Sequence, residues 1–275
     1  MPKTTIVVPC HDEARRLNVT AFRRFDGRST DATLLLVNDG SRDETLAILN
    51  RMAADNPARV EVLNLGRNFG KAEAVRRGVL HAARERPDFI GFWDADLATP
   101  LSVIDKFIDV LVQSSELCVV MGVRLPLLGH AIHRRPVRGW LGAEFARVVS
   151  LAFGQRFHDT QCGAKLFRVT PETIAAFSQP FASRWIFDVE LLARLRQLWR
   201  TDGSSLRECV YEFPLDQWED VAGSKLKRGD FFKAFGELAA IWWRYLRPSA
   251  PRFVGAAMPR EIGPDVADAP TRRAA

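Results

Sequence analysis

The first half of the chain alternates short apolar runs with longer stretches in which apolar residues recur at helical spacing. The short runs predict buried strands over five ranges: Thr4–Pro9, Ala32–Asn38, Val60–Leu65, Phe89–Trp93 and Leu117–Val123. Helices are predicted between them, over about 12–25, 42–54, 69–85 and 101–113. Strands buried on both faces and joined by such helices form right-handed βαβ units. The pattern therefore predicts an α/β fold with a mainly parallel central sheet flanked by helices.

The second half is less regular and carries three amphipathic patterns. They predict helices over about 137–153, 186–199 and 230–246, the last of them rich in aromatic residues. From Pro248 onward the chain holds five prolines and few large apolar residues, so residues 248–275 are predicted to form a disordered tail. The pattern predicts one domain over residues 1–247, followed by that tail.

Composition narrows the class of protein and of partner. The chain has 275 residues, of which 47% are apolar and 26% are charged, as is typical of a soluble globular protein. Wholesale disorder is excluded by the same figures. The net charge of +6 and the pI near 9.4 favour anionic partners such as phosphates, acidic lipid or nucleic acid, without choosing among them.

Cysteine usage and the chain ends bear on location. The four cysteines are widely separated and form no C-x-x-C pair, so we expect free thiols, no zinc site and a reducing, cytoplasmic location. No signal peptide is expected, because the first residues run directly into a strand. The longest apolar run near the C-terminus, Leu238–Trp243, is too short to span a bilayer, so any membrane contact is expected to be peripheral.

Polar residues cluster directly after four of the predicted strands. The clusters are Pro9–Glu13, Asn38–Ser41, Gly66–Lys71 and Asp94–Asp96. Because the carboxyl ends of parallel strands meet at one edge of a sheet, the clusters together predict a ligand crevice lined by carboxylates, backbone amides and cations. Taken alone, each has a plain structural explanation; Asp39–Ser41, for example, is typical of an ordinary turn before a helix.

Asp94 and Asp96 are informative because of their position. They follow an apolar strand, where buried carboxylates are costly unless they bind a cation. Alternate residues of an extended segment point the same way, so both carboxylates can face one ion. Mg²⁺ or Mn²⁺ takes such oxygen ligands together with substrate phosphates, which implies a nucleotide diphosphate. The chain has neither a Walker A loop nor a G-x-G-x-x-G fingerprint, which argues against P-loop and dinucleotide-binding enzymes.

The order of these clusters resembles that of the inverting GT-A glycosyltransferases of family 2. Later segments resemble the dolichyl-phosphate β-glucosyltransferases within that family: Asp159–Phe167, Arg184–Leu192, and Trp218 followed by Gly223–Lys225. The Arg67–Lys71 segment is also similar to bacterial undecaprenyl-phosphate glucosyltransferases. The resemblance covers about residues 4–246. It implies a GT-A fold, that of nucleotide-diphospho-sugar transferases, with a nucleotide-binding half over residues 1–123 and an acceptor-binding half over 124–247.

The resemblance implies a site for a nucleotide-sugar donor, expected to be a UDP-sugar. Asp39 would contact the uracil or ribose, in a pocket lined by Pro9 and Glu13. Arg67 and Lys71 would lie beside the nucleotide.

The resemblance also implies a catalytic metal, Mg²⁺ or Mn²⁺. Asp94 would face the ribose or the metal, and Asp96 would coordinate the ion that bridges the diphosphate. Such an ion neutralises charge that builds on the leaving group. A single displacement of that leaving group inverts the anomeric centre.

The acceptor decides the rest of the mechanism. A hydroxyl acceptor needs a general base, for which Asp188 and Glu190 are the candidates. A phosphate acceptor is already largely anionic at neutral pH and needs cations to position it. The candidate acceptor-binding residues are Arg124, Arg134, Arg135, Gln161 and Lys225. Alternatively, the arginines of the acid-free stretch Leu117–Ala143 form a solvated basic face.

We therefore expect a metal-dependent, inverting transferase that moves a hexose, glucose from UDP-glucose, to a polyprenyl (dolichyl or undecaprenyl) phosphate at the cytoplasmic face of a membrane. The alternatives are a soluble family 2 enzyme acting on a hydroxyl of a polysaccharide or small molecule, and a non-catalytic nucleotide-sugar-binding module. Trp242 and Trp243 cannot both face inward on one helix, so one is expected at a membrane or dimer interface. No nucleic-acid partner is expected.

Overall fold

The computed structural model describes residues 1–25, 31–133, 136–200, 203, 205–219 and 230–256. The strands in these ranges are β1 (Thr4–Cys10), β2 (Ala32–Asn38), β3 (Val60–Asn64), β4 (Phe89–Trp93), β5 (Val119–Val123), β6 (Ala131–His133), β7 (Ala164–Arg168), β8 (Val210–Pro214) and β9 (Gln217–Glu219). The first five strands lie where the apolar runs predict them.

Nine α-helices lie within the same described ranges. They are α1 (Val19–Arg24), α2 (Thr45–Asp55), α3 (Lys71–Ala82), α4 (Val103–Gln113), α5 (Pro136–Phe153), α6 (Pro171–Phe177), α7 (Phe187–Trp199), α8 (Leu206–Cys209) and α9 (Asp230–Ile241). A 3₁₀ turn at Ala83–Glu85 extends α3, and a π-helical turn at Trp242–Leu246 extends α9.

Seven strands form the central sheet in the order β3-β2-β1-β4-β7-β5-β8. Strand β1 pairs in parallel with β2 and with β4, and β5 pairs in parallel with β8. Strand β7 runs antiparallel to both of its neighbours, β4 and β5. The predicted α/β fold with a mainly parallel sheet is confirmed. A separate two-stranded sheet pairs β6 with β9.

The core lies on both faces of the central sheet. Successive side chains of a strand point to opposite faces, so Val7 belongs to one cluster of buried residues while Ile6 and Val8 belong to the other. Helices α3 and α7 contribute to the cluster with Val7, and α4 contributes to the opposite cluster. Strands buried on both faces explain why the first five runs are so continuously apolar.

The first helix is shorter than the predicted range of about 12–25. Residues before Asn18 form turns instead, because their backbone amides donate to side chains just before α2 and at its first residue. The Asp12 N–H donates to Oγ of Ser41, and the Glu13 N–H donates to Oγ1 of Thr45 at 2.8 Å. The helix begins only after Asn18, whose side chain accepts from the amide of Ala21.

The segment after Pro248 differs from the predicted disordered tail as far as the structure describes it. Through Ala256 it packs against α6 and α7: Phe253 is buried, and its N–H donates to the side chain of Gln197. The amide of Ala256 donates to Oγ of Ser178 at 2.8 Å. A single large apolar side chain, Phe253, thus anchors a proline-rich segment. Residues 257–275 lie outside the described ranges.

Among the helices that the structure describes, none combines the length and the apolar character that a bilayer crossing requires.

Candidate active site

The polar segments predicted to form a crevice are brought together at the carboxyl edge of the sheet. Parallel pairing places the ends of β1, β2 and β3 side by side, with Cys10 opposite Asn38 and Asn38 opposite Asn64. Strand β4 lies on the other side of β1, and its end leads into the Asp94–Asp96 segment. The topology therefore assembles all four clusters along one rim.

Asp39 holds the loop that follows β3. Its Oδ1 accepts from the Phe69 N–H at 2.7 Å and its Oδ2 accepts from the Gly70 N–H at 2.8 Å. The residue is only 2% exposed. Asp39 was predicted to touch the nucleotide base or ribose; in the structure its carboxylate fixes the loop that carries Arg67 and Lys71.

Close packing of this loop requires a glycine at position 40. Gly40 has a φ of +60°, a left-handed conformation that side chains disfavour. A Cβ there would lie 2.2 Å from the carbonyl carbon of Arg67. His11 completes the contact, since its ring nitrogens bond the Asp39 carbonyl oxygen at 2.8 Å and the Asn68 side chain at 2.7 Å. The first three strand ends are thus joined by hydrogen bonds.

Asp94 lies between a cation and a glycine. Its Oδ1 is 2.5 Å from Nζ of Lys71, the first residue of α3. Its backbone N–H donates to the Gly163 carbonyl at 2.9 Å, so the segment before β7 lies directly against it. A Cβ on Gly163 would lie 1.9 Å from Oδ2 of Asp94. Only glycine at position 163 leaves this carboxylate where it is.

Asp96 faces a second cation, Arg16, in the turn after β1. Nη2 of Arg16 lies 3.6 Å from Oδ2 of Asp96, and Nε of Arg16 lies 3.3 Å from Oε2 of Glu13. Burial, together with the negative charge of Asp94, raises the pKa of Asp96 above its ordinary value. The two aspartates therefore lie within each other's field. They do so in a turn that follows β4, and not in the extended segment from which their common direction was predicted.

These carboxylates suit a divalent cation in the donor set that they offer. Both supply hard oxygen ligands at one rim. Their negative charges repel each other, and a bound cation would relieve that repulsion. No group of three or more acidic, histidine or cysteine side chains that could enclose a metal occurs in the ranges that the structure describes. Asp94 and Asp96 would therefore hold such an ion together with water and the oxygens of a bound phosphate.

Asp188 lies next to this rim at the start of α7. Its Oδ1 accepts from Nζ of Lys165 at 2.6 Å, and both side chains are almost fully buried. Nζ of Lys165 also donates to the Cys162 carbonyl at 2.7 Å. Partial loss of solvent around its ammonium would lower the pKa of Lys71, but the charges of Asp94 and Asp188 outweigh that effect and raise it. Lys71 therefore interacts electrostatically with both carboxylates.

A family model described as Glycosyl transferase family 2 matches residues 5–170. The chain belongs to glycosyl transferase family 2. It is 33% identical to a dolichyl-phosphate beta-glucosyltransferase of Trichomonas vaginalis, over 86% of this chain and 70% of that protein. It is 32% identical to a dolichyl-phosphate beta-glucosyltransferase of Drosophila melanogaster, over 88% of this chain and 75% of that protein. The chain is thus a glycosyltransferase, as its motifs predict.

Solved structures confirm that this glycosyltransferase has the GT-A fold. Glucosyl-3-phosphoglycerate synthase from Mycobacterium tuberculosis, in complex with Mn²⁺, UDP and glucosyl-3-phosphoglycerate, matches with a TM-score of 0.63. The match covers 91% of this chain and 81% of that one at 17% sequence identity. The same synthase in complex with Mn²⁺ and UDP-glucose matches with a TM-score of 0.62 at 18% identity, over 87% of this chain and 79% of that one.

The other predicted base of this glycosyltransferase, Glu190, points into the interior. It is 0% exposed, and its carboxylate accepts from Arg194 at 2.7 Å, from the Ser183 N–H at 2.8 Å and from the Tyr245 hydroxyl at 3.0 Å. In this position the carboxylate is engaged inside the protein, so the geometry does not support the predicted role of Glu190 as a catalytic base. Residues two apart on a helix point about 200° from each other, so only one of Asp188 and Glu190 can face the rim.

Arg124, predicted to bind an acceptor phosphate, is held by a carboxylate of the transferase itself. Its Nε donates to Oδ2 of Asp159 at 2.5 Å and its Nη2 donates to Oδ1 at 2.8 Å. The guanidinium also lies 5.1 Å from the ring centroid of Trp218. This bidentate pair links β5 to the segment before β7. In this geometry Arg124 positions that segment, and direct phosphate contact by Arg124 is not supported.

Of the four remaining predicted acceptor residues, the structure describes only Gln161. The Nε2 atom of Gln161 is buried without a hydrogen-bond partner, two residues from Gly163. A buried amide that lacks a partner is costly, so this atom is available to a ligand oxygen. Arg134, Arg135 and Lys225 lie outside the described residues.

Sequence patterns missed several residues of this site. Arg16 and Lys165 are the cations that contact Asp96 and Asp188, and Gly163 makes room for Asp94. Arg184 approaches the loop before α3, since its Nη2 lies 3.8 Å from the place that a Cβ on Gly70 would occupy. Lys165 could have been found from its neighbours in the sequence, because they are largely apolar and a buried ammonium needs a carboxylate partner.

Proposed function

We propose that this chain transfers glucose from UDP-glucose to a polyprenyl phosphate, with inversion at the anomeric carbon and with a divalent metal ion, Mg²⁺ or Mn²⁺. The proposal takes its acceptor and sugar from the relatives that are named dolichyl-phosphate beta-glucosyltransferases. It takes its donor chemistry from the crevice. Contact with a membrane follows from an acceptor that carries a long apolar chain.

The observation that carries the proposal is the charge arrangement at the rim. Two carboxylates, Asp94 and Asp96, lie next to two cations, Lys71 and Arg16. Carboxylates suit a metal ion, whereas the cations suit the oxygens of a diphosphate. A nucleotide diphosphate with its metal satisfies both sets at once, which a neutral sugar or a simple anion does not.

The side chains of the rim would bind and orient the donor. Lys71 and Arg16 would donate to the diphosphate oxygens as Asp94 and Asp96 turn toward the ion. When bound there, a divalent ion would neutralise charge on the departing nucleotide. Asp39 would keep Lys71 in place, because its hydrogen bonds fix the loop immediately before α3.

With a phosphate acceptor, the proposed transfer would need no proton to be removed. An oxygen of the acceptor phosphate forms the bond to the anomeric carbon, and the bond from that carbon to the UDP oxygen breaks, with the electron pair leaving on UDP. A phosphate monoester is largely dianionic at neutral pH, so its oxygen attacks without a base. Asp188, held by Lys165, would then orient the sugar or the adjacent Lys71 rather than accept a proton.

The acceptor phosphate would be held from the side of β5 and β7. Gln161 offers a buried side-chain Nε2 without a hydrogen-bond partner, and Arg124 fixes the neighbouring Asp159. Arg134, Arg135 and Lys225 are retained as proposed phosphate ligands on the strength of the sequence.

The test uses labelled UDP-sugars with Mn²⁺ and either undecaprenyl phosphate or water-soluble acceptors. We expect label from UDP-glucose to enter the organic phase only when the polyprenyl phosphate is present, and Asp96→Asn to lower that transfer at least about a hundredfold. Arg23→Gln, an exposed change at the end of α1 away from the rim, is the control and should leave transfer unchanged.

Two outcomes would contradict the proposal. Transfer to soluble hydroxyl acceptors alone would favour the soluble alternative and would make Asp188 the general base. Binding of UDP-sugars without transfer to any acceptor would favour the non-catalytic module.

A further inference from the structure

Helix α5 exposes large apolar side chains along one stripe. Trp140 is 64% exposed and Leu151 is 82% exposed, and Val148 is also exposed. These positions follow helical spacing, whereas Phe145 and Val149 on the opposite side of α5 are buried in the core. Apolar side chains of this size on a solvated helix face are a cost unless something covers them.

A second exposed apolar stripe lies on α9 and its π-helical turn. Trp243 is 62% exposed, and Phe235 and Trp242 are each about 40% exposed. On the same helix, Leu238 and Ile241 are buried. Both members of the Trp242–Trp243 pair are thus substantially exposed, whereas the sequence predicts only that one of them faces outward.

The two stripes belong to one surface. The ring centroids of Phe145 on α5 and Phe235 on α9 lie 6.0 Å apart, and the π-helical turn also contacts α5. Val148 lies on α5 between the Trp140–Leu151 stripe and Phe145 by helical angle, so the apolar surface continues from one helix to the other. We call the exposed side chains of α5 and α9 the aromatic face; they are Trp140, Val148, Leu151, Phe235, Trp242 and Trp243.

Arginines border the aromatic face. The guanidinium of Arg247 lies 4.1 Å from the ring centroid of Trp243, and Arg244 follows Trp243 directly. Arg147 is exposed on the α5 stripe, where it pairs with Glu144. Tryptophan and arginine together are typical of helices that lie in the interface of an anionic lipid bilayer, with rings among the acyl chains and guanidinium groups at the headgroups.

The aromatic face is also connected to the catalytic rim. Glu237 of α9 accepts from the Ser183 hydroxyl at 2.5 Å and from the Trp185 N–H at 3.1 Å. That segment leads directly into α7, which begins with Phe187 and Asp188. A surface that contacts α9 is therefore one short segment away from the residues that would meet the acceptor.

We propose that the aromatic face is a docking surface for an anionic lipid bilayer, on which α5 and α9 lie in the membrane interface. This inference deepens the proposed function and rests on it, because a polyprenyl phosphate acceptor is the reason for the enzyme to bind a membrane. The position of the docking surface is inferred from the two helices alone. The face presents the site to a substrate whose phosphate lies at the headgroup level.

The experiment measures sedimentation of the full chain with vesicles of equal parts phosphatidylcholine and phosphatidylglycerol. We expect the unmodified protein to sediment with them. Leu151→Glu and Trp243→Glu should each weaken the partition by about tenfold to a hundredfold, because each removes a large apolar side chain that the bilayer would bury. The two variants lie on different helices, so loss of folding in one would leave the other as a test.

Val112→Glu is the matched control. Val112 is an exposed apolar residue on α4, whose buried side chains belong to the core cluster on the opposite face of the sheet from α5. The control should sediment like the unmodified protein. Failure of the unmodified protein to bind vesicles, or binding unaffected by both variants, would overturn the proposal. So would light scattering that shows a dimer converted to a monomer by Trp243→Glu without vesicle binding, which would make the face a surface for a second copy.

Activity separates this inference from the proposed function. With a short-chain polyprenyl phosphate dispersed in detergent, Leu151→Glu and Trp243→Glu should transfer glucose at the unmodified rate, and only transfer to vesicle-embedded acceptor should fall. Equal loss in both assays would overturn the docking role. No transfer by the unmodified protein in either assay would overturn the proposed function, while vesicle binding would still decide the docking surface.

Discussion

Replacing Gly163 by alanine tests the geometry of the rim at one atom. Cβ of the alanine would lie 1.9 Å from Oδ2 and 2.1 Å from Cγ of Asp94, whereas real contacts of a Cβ essentially never fall below 3.0 Å. The carboxylate must therefore move by more than an ångström, away from the place where it meets Lys71. The backbone at Gly163 is not in the left-handed region that restricts alanine, so this clash is the whole perturbation.

The magnitude follows from that displacement. Misplacing a catalytic group by about an ångström costs on the order of a hundredfold in rate, which is about 2.7 kcal/mol of transition-state stabilisation. Asp94 can relieve the clash by rotating its side chain, so we expect the free energy of unfolding to change by less than about 1 kcal/mol. The variant should fold normally and transfer poorly.

The assay compares kcat/KM for glucose transfer with detergent-dispersed acceptor, at several Mn²⁺ concentrations, between Gly163→Ala and Gly236→Ala. Gly236 lies within α9, where a Cβ would meet nothing within 4 Å. Gly236→Ala should keep full activity and gain roughly 1 kcal/mol of stability, as expected for alanine in a helix. We expect Gly163→Ala to lose about a hundredfold in kcat/KM and to need more Mn²⁺. Unchanged activity with an unchanged Mn²⁺ requirement would refute the placement of Asp94 in the metal and donor site.

Three further substitutions test the contacts that support the rim. Asp39→Asn should lower the free energy of unfolding in denaturant by about 1–3 kcal/mol, because the side-chain amide cannot accept from both backbone N–H groups. Hydrogen exchange at the Gly70 amide should become faster as the loop loosens; unaltered exchange would contradict the role of Asp39 in fixing that loop. Lys165→Met should cost about 3–5 kcal/mol by leaving Asp188 buried and unpaired, and adding Asp188→Leu should recover part of that loss; an additive double variant would mean that the two side chains do not interact. Tyr245→Phe removes one hydrogen bond to the buried carboxylate of Glu190 and should lower the free energy of unfolding by about 1.5–3 kcal/mol. Its activity with detergent-dispersed acceptor should be retained; lost activity with unchanged stability would instead indicate a role in catalysis.

The fold was predictable where one physical effect dominates. Strands β2 and β4 begin and end where the apolar runs predict, because strands buried on both faces need continuous apolar sequence and stop at the first polar cluster. Strand β7 was missed, since Lys165 and Arg168 interrupt its apolar pattern. Its position between β4 and β5 is set by pairing with residues distant in the chain, which local periodicity does not contain.

The site was predictable as a set of strand ends and not as a set of contacts. Asp94 and Asp96 could be inferred from a costly position beside an apolar strand. Lys71, the partner of Asp94, was predicted at the same crevice. Arg16, the partner of Asp96, could not be inferred, because it is distant in sequence and meets Asp96 only through the turn after β1. Glu190 is different: its separation of two residues from Asp188 on a helix already indicates opposite directions, so the helical angle could have excluded it.

A metal-bound donor at the rim between β1 and β4 is the central feature of the proposed function. A crystal structure of the protein grown with Mn²⁺ and UDP tests this most directly, because the anomalous signal of manganese locates the ion independently of the refined coordinates. We expect that signal between Asp94 and Asp96, with the UDP diphosphate against Lys71 and Arg16. A manganese peak elsewhere, or UDP bound while both aspartates keep their contacts with those two cations, would contradict it.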